Sequence, residues 1–166
     1  MSEMELPREE VISLLAAAPE RIAVATAGLP PVQLLAAPVP GEWSANEVLA
    51  HLRACADVWG DCIRRMLAED RPTIRAVNPR SWIKKTGYLQ QEFAPSLRAF
   101  AEQRAGLLAI LEPLTPGAWT RAATVTGAGR TLERTVHSYA QWLARHERPH
   151  LKQIERIAAQ LRREMV

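Results

Sequence analysis

The sequence has few cysteines and no long apolar run, and these shortages exclude several classes of protein. Its 166 residues include only two cysteines, which cannot form the disulfide framework of a small secreted domain. No apolar stretch approaches the roughly 20 residues that a membrane-spanning helix needs. The sequence begins Met-Ser-Glu-Met-Glu, which is acidic where a secretory signal would be basic. We therefore expect a cytoplasmic protein without a membrane span.

Composition and charge describe an ordinary globular chain. Hydrophobic residues make up 48% and charged residues 23%, so we expect one domain over residues 1–166 with a core of its own. Residues 1–60 carry three basic and eight acidic side chains (net −5), whereas residues 61–166 carry eighteen and ten (net +8). A basic portion of this kind raises the possibility of a nucleic-acid partner. Because no groove-reading motif accompanies the charge, a solvated helical surface is the favoured interpretation.

Apolar residues recur at steps of three and four, which predicts four long helices and no convincing strand. The predicted helices span about 7–28, 44–68, 89–112, and 131 to near the C-terminus. Ser44-Ala-Asn-Glu47 is a capping box that opens the second helix. Pro19 should bend or divide the first helix, and Thr131 should cap the last one. The fold predicted is all-α, a four-helix bundle.

The segments between these helices are rich in proline and glycine. Residues 29–42 contain four prolines and predict a connector. Residues 69–88 are long for a loop between antiparallel neighbours, so we expect a crossover between helices two and three, with a short helix near Trp82. Residues 124–131 predict a turn with room for a short extended piece.

Helical periodicity sorts the four histidines into two groups. At about 100° per residue, His146 and His150 lie about 40° apart on the apolar stripe of the last helix, whereas His137 lies about 180° from His146. His51 lies beside the stripe of the second helix. Three imidazoles from two helices therefore point into the bundle, where one metal ion would satisfy all three and leave open coordination positions. The alternative is core histidines hydrogen-bonded to hydroxyls or backbone.

Two neighbouring side chains invite further hypotheses. His146-Glu-Arg-Pro-His150 matches the zinc-protease pattern, but no downstream third ligand or substrate-holding strand is evident. Glu147 is a candidate general base, with a solvated glutamate as the favoured alternative. Cys55 follows His51 by one helical turn and is a candidate ligand or redox sensor, as is Cys62, although cysteine at helical spacing is more often inert core.

At these residues the sequence resembles the DinB-like superfamily. Gly41-Glu-Trp-Ser-Ala-Asn-Glu-Val-Leu-Ala-His51-Leu resembles the opening of that family's second helix. Gly129-Arg-Thr-Leu and His146-Glu-Arg-Pro-His150-Leu-Lys-Gln-Ile resemble its last helix. The likeness covers about residues 10–160, and Pro149 between two histidines is its one departure.

The resemblance implies a four-helix bundle with a long crossover between the second and third helices. It implies a divalent metal, nickel or zinc, held by His51, His146 and His150, and it implies a homodimer. Some relatives are thiol-dependent enzymes, including mycothiol-dependent maleylpyruvate isomerase and low-molecular-weight-thiol S-transferases.

The leading hypothesis is a metal-dependent enzyme that carries out hydrolysis or thiol transfer on a small molecule. The metal would lower the pKa of a bound water or thiol. Basic residues of the crossover are candidates for holding an acidic thiol or substrate, with a solvated loop as the alternative: Arg75, Arg80, Lys84 and Lys85. The other hypotheses are a non-enzymatic metal-binding stress-response module and, least favoured, a nucleic-acid binder. The sequence names neither the metal nor the substrate.

Overall fold

Four long helices carry the fold in the computed structural model, which describes residues 4–166. Three short helices and three short strands lie between them. In chain order the elements are α1 (Arg8–Thr26), α2 (Pro31–Leu35), α3 (Ala45–Ala68), β1 (Thr73–Arg75), α4 (Pro79–Trp82), α5 (Phe93–Leu111), α6 (Pro116–Trp119), β2 (Ala122–Thr126), β3 (Leu132–Thr135) and α7 (Val136–Glu164). The all-α bundle predicted from the sequence is confirmed.

The capping box at Ser44 starts α3 as predicted. The Ser44 hydroxyl accepts a hydrogen bond from the Glu47 N–H at 3.1 Å, and the Glu47 carboxylate accepts one from the Ser44 N–H at 3.2 Å. These bonds satisfy two backbone donors that have no partner within the helix. α3 then packs against α7, while α1 packs against α7 and α5.

A long crossover connects α3 to α5, and a carboxylate of α3 is among the groups that hold it. It contains β1, α4 and two 3₁₀ turns (Ile83–Lys85 and Tyr88–Gln90), so the short helix expected near Trp82 is confirmed. Asp57 on α3 accepts hydrogen bonds from the Trp82 indole at 3.0 Å and the Tyr88 hydroxyl at 2.6 Å, and another from Gln103 on α5. Asp57 therefore joins the crossover to two helices.

The sequence predicts no convincing strand, and this prediction is wrong, because the structure contains a three-stranded sheet. The strand order is β1-β2-β3, with β1 parallel to β2 and β2 antiparallel to β3. Strand β2 alternates buried and half-buried residues, with Ala123 and Val125 facing the core. At three to five residues each, these strands are too short for the alternation to stand out in the sequence.

The start of the last helix is also corrected. Leu132 to Thr135 pair with β2 as strand β3, so α7 begins at Val136 and not next to Thr131. Its cap is Thr135, whose hydroxyl accepts from the Ser138 N–H at 3.0 Å. Pro19 does not divide α1, which runs unbroken from Arg8 to Thr26, and α7 continues through Pro149.

A buried ion pair lies between the two halves of the hydrophobic core. Arg104 on α5 and Glu147 on α7 are each 2% exposed at the side chain, and both guanidinium Nη atoms donate to the carboxylate. The Arg104 guanidinium also donates to the Leu15 carbonyl of α1 at 2.8 Å. One apolar cluster includes Leu107 and Leu143, and the other includes Phe100 and Ile154. The pair thus ties three helices together at the level where the clusters meet.

Among residues 4–166, no helix combines the length and the apolarity that crossing a membrane requires.

The Arg104–Glu147 pair generates a prediction about stability. Arg104→Met should lower the free energy of unfolding by about 3–5 kcal/mol, because it leaves the Glu147 carboxylate buried without its partner. Arg104→Met/Glu147→Leu should cost much less, since it removes both charges. Urea denaturation measures both. The matched control is Arg21→Met, which breaks the exposed pair with Glu155 and should cost about 0–1 kcal/mol. Equal losses for Arg104→Met and Arg21→Met would contradict the assignment.

Candidate metal centre

The contact between α3 and α7 brings together the three histidines selected from the sequence. His146 and His150 lie one turn apart on α7 and face His51 on α3. The ring centroids of His51 and His146 are 5.2 Å apart, those of His51 and His150 4.8 Å, and those of His146 and His150 4.8 Å. The helical faces inferred from periodicity thus converge at one place.

Cys55 belongs to the same cluster. One potential ligand atom from each of His51, Cys55 and His146 lies within 4.8 Å of the others. The Cys55 Sγ lies 3.6 Å from the His51 Nε2. The sequence left the participation of Cys55 open, and the structure places its thiol beside the imidazoles.

Neighbouring side chains orient the rings and surround them. The His150 Nδ1–H donates to the Gln153 side-chain oxygen at 3.2 Å, which leaves the Nε2 lone pair of His150 free to bind a cation. The His146 Nδ1 is buried and has no hydrogen-bond partner among the described residues. Two indole rings flank the imidazoles, Trp43 at 5.4 Å from His51 and Trp59 at 4.9 Å from His146.

The surroundings keep the imidazoles of His51 and His146 neutral. Burial, together with the neighbouring His150 and Arg80, lowers the pKa of His51 to about 4. Burial, together with His150 and His51, lowers the pKa of His146 to about 4. Burial, reinforced by the Glu147 charge, raises the pKa of the Cys55 thiol to about 12. At neutral pH His51 and His146 therefore present uncharged imidazole nitrogens, the form that binds metal, beside the protonated thiol of Cys55.

Glu147 lies next to this cluster in sequence but is engaged elsewhere. Its carboxylate accepts from Arg104 in the buried pair described above. Burial raises the pKa of Glu147, and the Arg104 guanidinium opposes that shift. The general-base role stays a prediction, and the contacts favour a structural role that fixes the rotation of α7.

His137 lies apart from the other histidines, as its helical position predicts. Its Nε2–H donates to the Leu6 carbonyl at 2.8 Å, and its Nδ1 lies 2.6 Å from the Glu5 carboxylate. The ring also packs edge-on against Trp119 at 5.7 Å. These contacts hold the segment before α1 against α7 and away from the centre.

The four basic residues of the crossover that were candidates for holding an anion lie in three different places. The Arg80 charge acts on both His51 and Cys55, so it lies near the centre. Lys84 and Lys85 are exposed in a 3₁₀ turn. Arg75 lines a separate cavity described below.

The cluster has the donor chemistry of a divalent transition-metal site. Neutral imidazoles and a cysteine sulfur are the ligands that zinc and its neighbours prefer, and the buried His146 Nδ1 has no hydrogen-bond partner within residues 4–166. A cavity of about 380 Å³ reaches the cluster at His150, with Trp43, Gln153 and Arg156 among its walls. A cation at the cluster would be accessible to a small molecule from this side.

Sequence reasoning missed two polar residues that hold the surrounding helices and the crossover in place. Arg104 falls on the apolar stripe of α5, four residues after Phe100 and three before Leu107, and a charge in that position signals a buried partner. Asp57 is half-buried and joins the crossover to α3 and α5 through three donors. Its sequence position gives no comparable signal, because its partners come from two other segments.

The lowered pKa values predict how stability depends on pH. In the metal-free protein the folded pKa of His51 and His146 is about 4, against an ordinary value of 6.5. Between these values the unfolded chain binds more protons than the folded chain, so the free energy of unfolding should fall as pH drops from 6.5 towards 4. Urea denaturation at a series of pH values measures it. The His51→Gln/His146→Gln variant should show a shallower dependence, and an unchanged slope would contradict the buried, neutral state.

Comparison with known proteins agrees with this fold. The family model of the DinB superfamily matches residues 14–154. YfiT from Bacillus subtilis, described as a probable metal-dependent hydrolase with an unusual four-helix bundle topology, is similar in structure with a TM-score of 0.77 and 20% sequence identity. The alignment covers 99% of this chain and 93% of YfiT. No curated protein sequence matches the chain. The family match spans most of the chain, and we conclude that this protein belongs to the DinB superfamily.

Proposed function

We propose that the protein is a metal-dependent hydrolase of a small molecule, with its metal held by His51, His146 and His150. The observation that carries the proposal is the convergence of three imidazoles, with ring centroids 4.8–5.2 Å apart, at the end of a cavity. The structural likeness to YfiT, described as a probable metal-dependent hydrolase, supports the same reaction class.

A divalent cation bound there supplies Lewis-acid chemistry, which polarises a substrate oxygen and lowers the pKa of water. His51 and His146 offer neutral nitrogens, and Gln153 orients the ring of His150 through the Nδ1–H bond. Three protein ligands leave coordination positions for water and substrate, which is typical of a catalytic site. A fourth ligand from Cys55 would close the site, so the proposal keeps Cys55 as a buried thiol outside the ligand set.

The residues around the centre restrict what can approach it. Trp43 and Trp59 flank the imidazoles and exclude bulk water from two sides. Substrate enters past His150, where Arg156 lines the cavity, and the Arg80 charge lies near His51. One acidic residue, Glu42, also lines this cavity, and the two arginines outnumber it, so the charges favour a substrate with an anionic group. Glu147 acts as a positioning residue, because its bonds to Arg104 fix α7 between His146 and His150.

Metal content tests the ligand set. Replacing His51, His146 or His150 by alanine should reduce bound nickel or zinc from about one per chain to a small fraction, because two remaining ligands bind weakly. His137→Ala is the matched control from the same helix and should leave the content unchanged. Elemental analysis after dialysis measures it. Metal lost in His137→Ala but kept in His146→Ala would overturn the assignment.

Cobalt substitution tests the place of Cys55. The Co²⁺-loaded protein should lack the near-ultraviolet thiolate-to-cobalt charge-transfer absorption, and Cys55→Ala should retain its metal. A strong thiolate band that disappears in Cys55→Ala would show a closed site with a sulfur ligand. That outcome would contradict the open, hydrolytic centre.

Hydrolysis itself is tested with 4-nitrophenyl acetate and a panel of small anionic esters and amides. The metal-loaded protein should turn over at least one of them, and His146→Ala should lower kcat/KM by about 100-fold or more, since metal ions contribute several kcal/mol to such transition states. Absorbance at the product band measures the rate, and His137→Ala should retain it. Full metal occupancy without hydrolysis would favour the non-enzymatic metal-binding module instead.

Two further expectations from the family resemblance stay proposals. Turnover that requires an added low-molecular-weight thiol would assign thiol transfer in place of hydrolysis. We also propose that the active form is a homodimer, which sedimentation equilibrium measures directly.

A further inference from the structure

We propose that the cavity between α3, the crossover and α5 is a second small-molecule site, separate from the metal centre, and that it binds an organic carboxylate with an apolar body and a second oxygen. The cavity has a volume of about 620 Å³, within the range of ligand sites. None of its lining residues belongs to the histidine–cysteine cluster. On α3 it is reached at Gly60, which lies nine residues, or about 180°, around the helix from His51.

One residue that lines this cavity has a buried donor without an acceptor. Arg104 is 2% exposed and is among the lining residues. Its two Nη atoms bind Glu147 and the Leu15 carbonyl, but its Nε–H has no hydrogen-bond partner in the described part of the chain. Buried donors are normally satisfied. The protein covers the Nε–H in the empty cavity, so a carbonyl or hydroxyl oxygen of a ligand would supply the missing acceptor after a side-chain shift at the wall, a common change on binding. Such an oxygen adds no charge beside Glu147.

A glycine in the middle of α3 keeps the cavity open. Gly60 is buried and lines the cavity, and glycine in a helix interior is less stable than alanine. A Cβ atom at Gly60 would meet no heavy atom within 4 Å. Packing therefore does not require glycine here, and a larger side chain at this position would project into the cavity.

Two exposed arginines and several apolar side chains are among the residues that line the cavity. Arg64 and Arg75 are exposed lining residues, and neither forms an ion pair with any of residues 4–166. A carboxylate between them would find two unpaired guanidinium groups. Ile74, Leu107 and Val77 supply apolar wall.

Neither of the two acidic residues in the lining forms an ion pair with Arg64 or Arg75. Asp57 is bound by Trp82, Tyr88 and Gln103. Asp61 forms no ion pair with Arg64 or Arg75 in the part of the chain that the structure describes. Arg64 and Arg75 thus stay available for an anionic group at the mouth.

The probe for this site is 4-acetylbenzoate, whose carboxylate and carbonyl lie at opposite ends of an apolar ring. Isothermal titration should show sub-millimolar binding that persists in EDTA. Benzoate, which lacks the inner carbonyl, should bind about tenfold more weakly, because the Arg104 Nε–H then stays unsatisfied. The neutral 4-acetylbenzamide should also bind about tenfold more weakly, because it lacks the charge that faces Arg64 and Arg75.

Substitutions at residues that line the cavity test whether the probe binds there. Gly60→Leu should fold, since leucine favours a helix and its Cβ meets no atom, and should abolish binding by filling the cavity. Arg64→Gln/Arg75→Gln should weaken binding about tenfold, whereas Arg148→Gln/Lys152→Gln, which removes the same charge from exposed positions of α7, should leave it unchanged. Circular dichroism confirms folding of each variant.

Several results would overturn the proposal. Loss of binding in EDTA would place the probe on the metal. Unchanged binding in Gly60→Leu would place it elsewhere on the surface. Equal affinity for the amide would remove the claim that the site selects a carboxylate, and no binding at millimolar probe would remove the site. None of these results bears on hydrolysis at the histidine centre, so the two proposals fail independently.

Discussion

The buried pair of Arg104 and Glu147 is the constraint on which the arrangement of the bundle depends. An ionised pair removed from water is tolerated only when its geometry is good and most of its hydrogen-bonding capacity is used. Here that demand fixes α5 and α7 at one level, and the bond from Arg104 to the Leu15 carbonyl adds α1. Apolar side chains pack above and below this level with little directional preference of their own. The pair therefore fixes how α1, α5 and α7 are oriented, whereas the apolar side chains contribute mainly non-directional burial energy.

The same pair orients the candidate centre. Glu147 lies between His146 and His150 on α7, so the rotation that directs its carboxylate to Arg104 also directs both imidazoles to α3. His51 and Cys55 meet them there. Burial then keeps the imidazoles of His51 and His146 neutral and the Cys55 thiol protonated. The burial that keeps these two imidazoles unprotonated also leaves their nitrogens available to a cation, and it places a group of polar side chains in the core.

Helix α3 has two functional faces in this interpretation. One carries His51 and Cys55 towards α7, and the other carries Asp57 and Gly60 towards the crossover and α5. The crossover is long because it must return across the bundle, and Asp57 holds it in place through Trp82 and Tyr88. The cavity beneath it exists because that connection lies over the helices without filling the space at Gly60.

Periodicity and local chemistry were sufficient to predict the helices, the Ser44 cap and the helical faces on which the histidines lie. These depend on residues three or four apart, whose directions follow from helical geometry alone. The pairing of β1, β2 and β3, the later start of α7 and the partner of Glu147 depend on segments that are distant in the sequence. Periodicity within a helix carries no information about which residue on another element faces it. Tertiary packing alone therefore decided that Glu147 meets Arg104, that Cys55 lies beside the imidazoles, and that a cavity opens at Gly60.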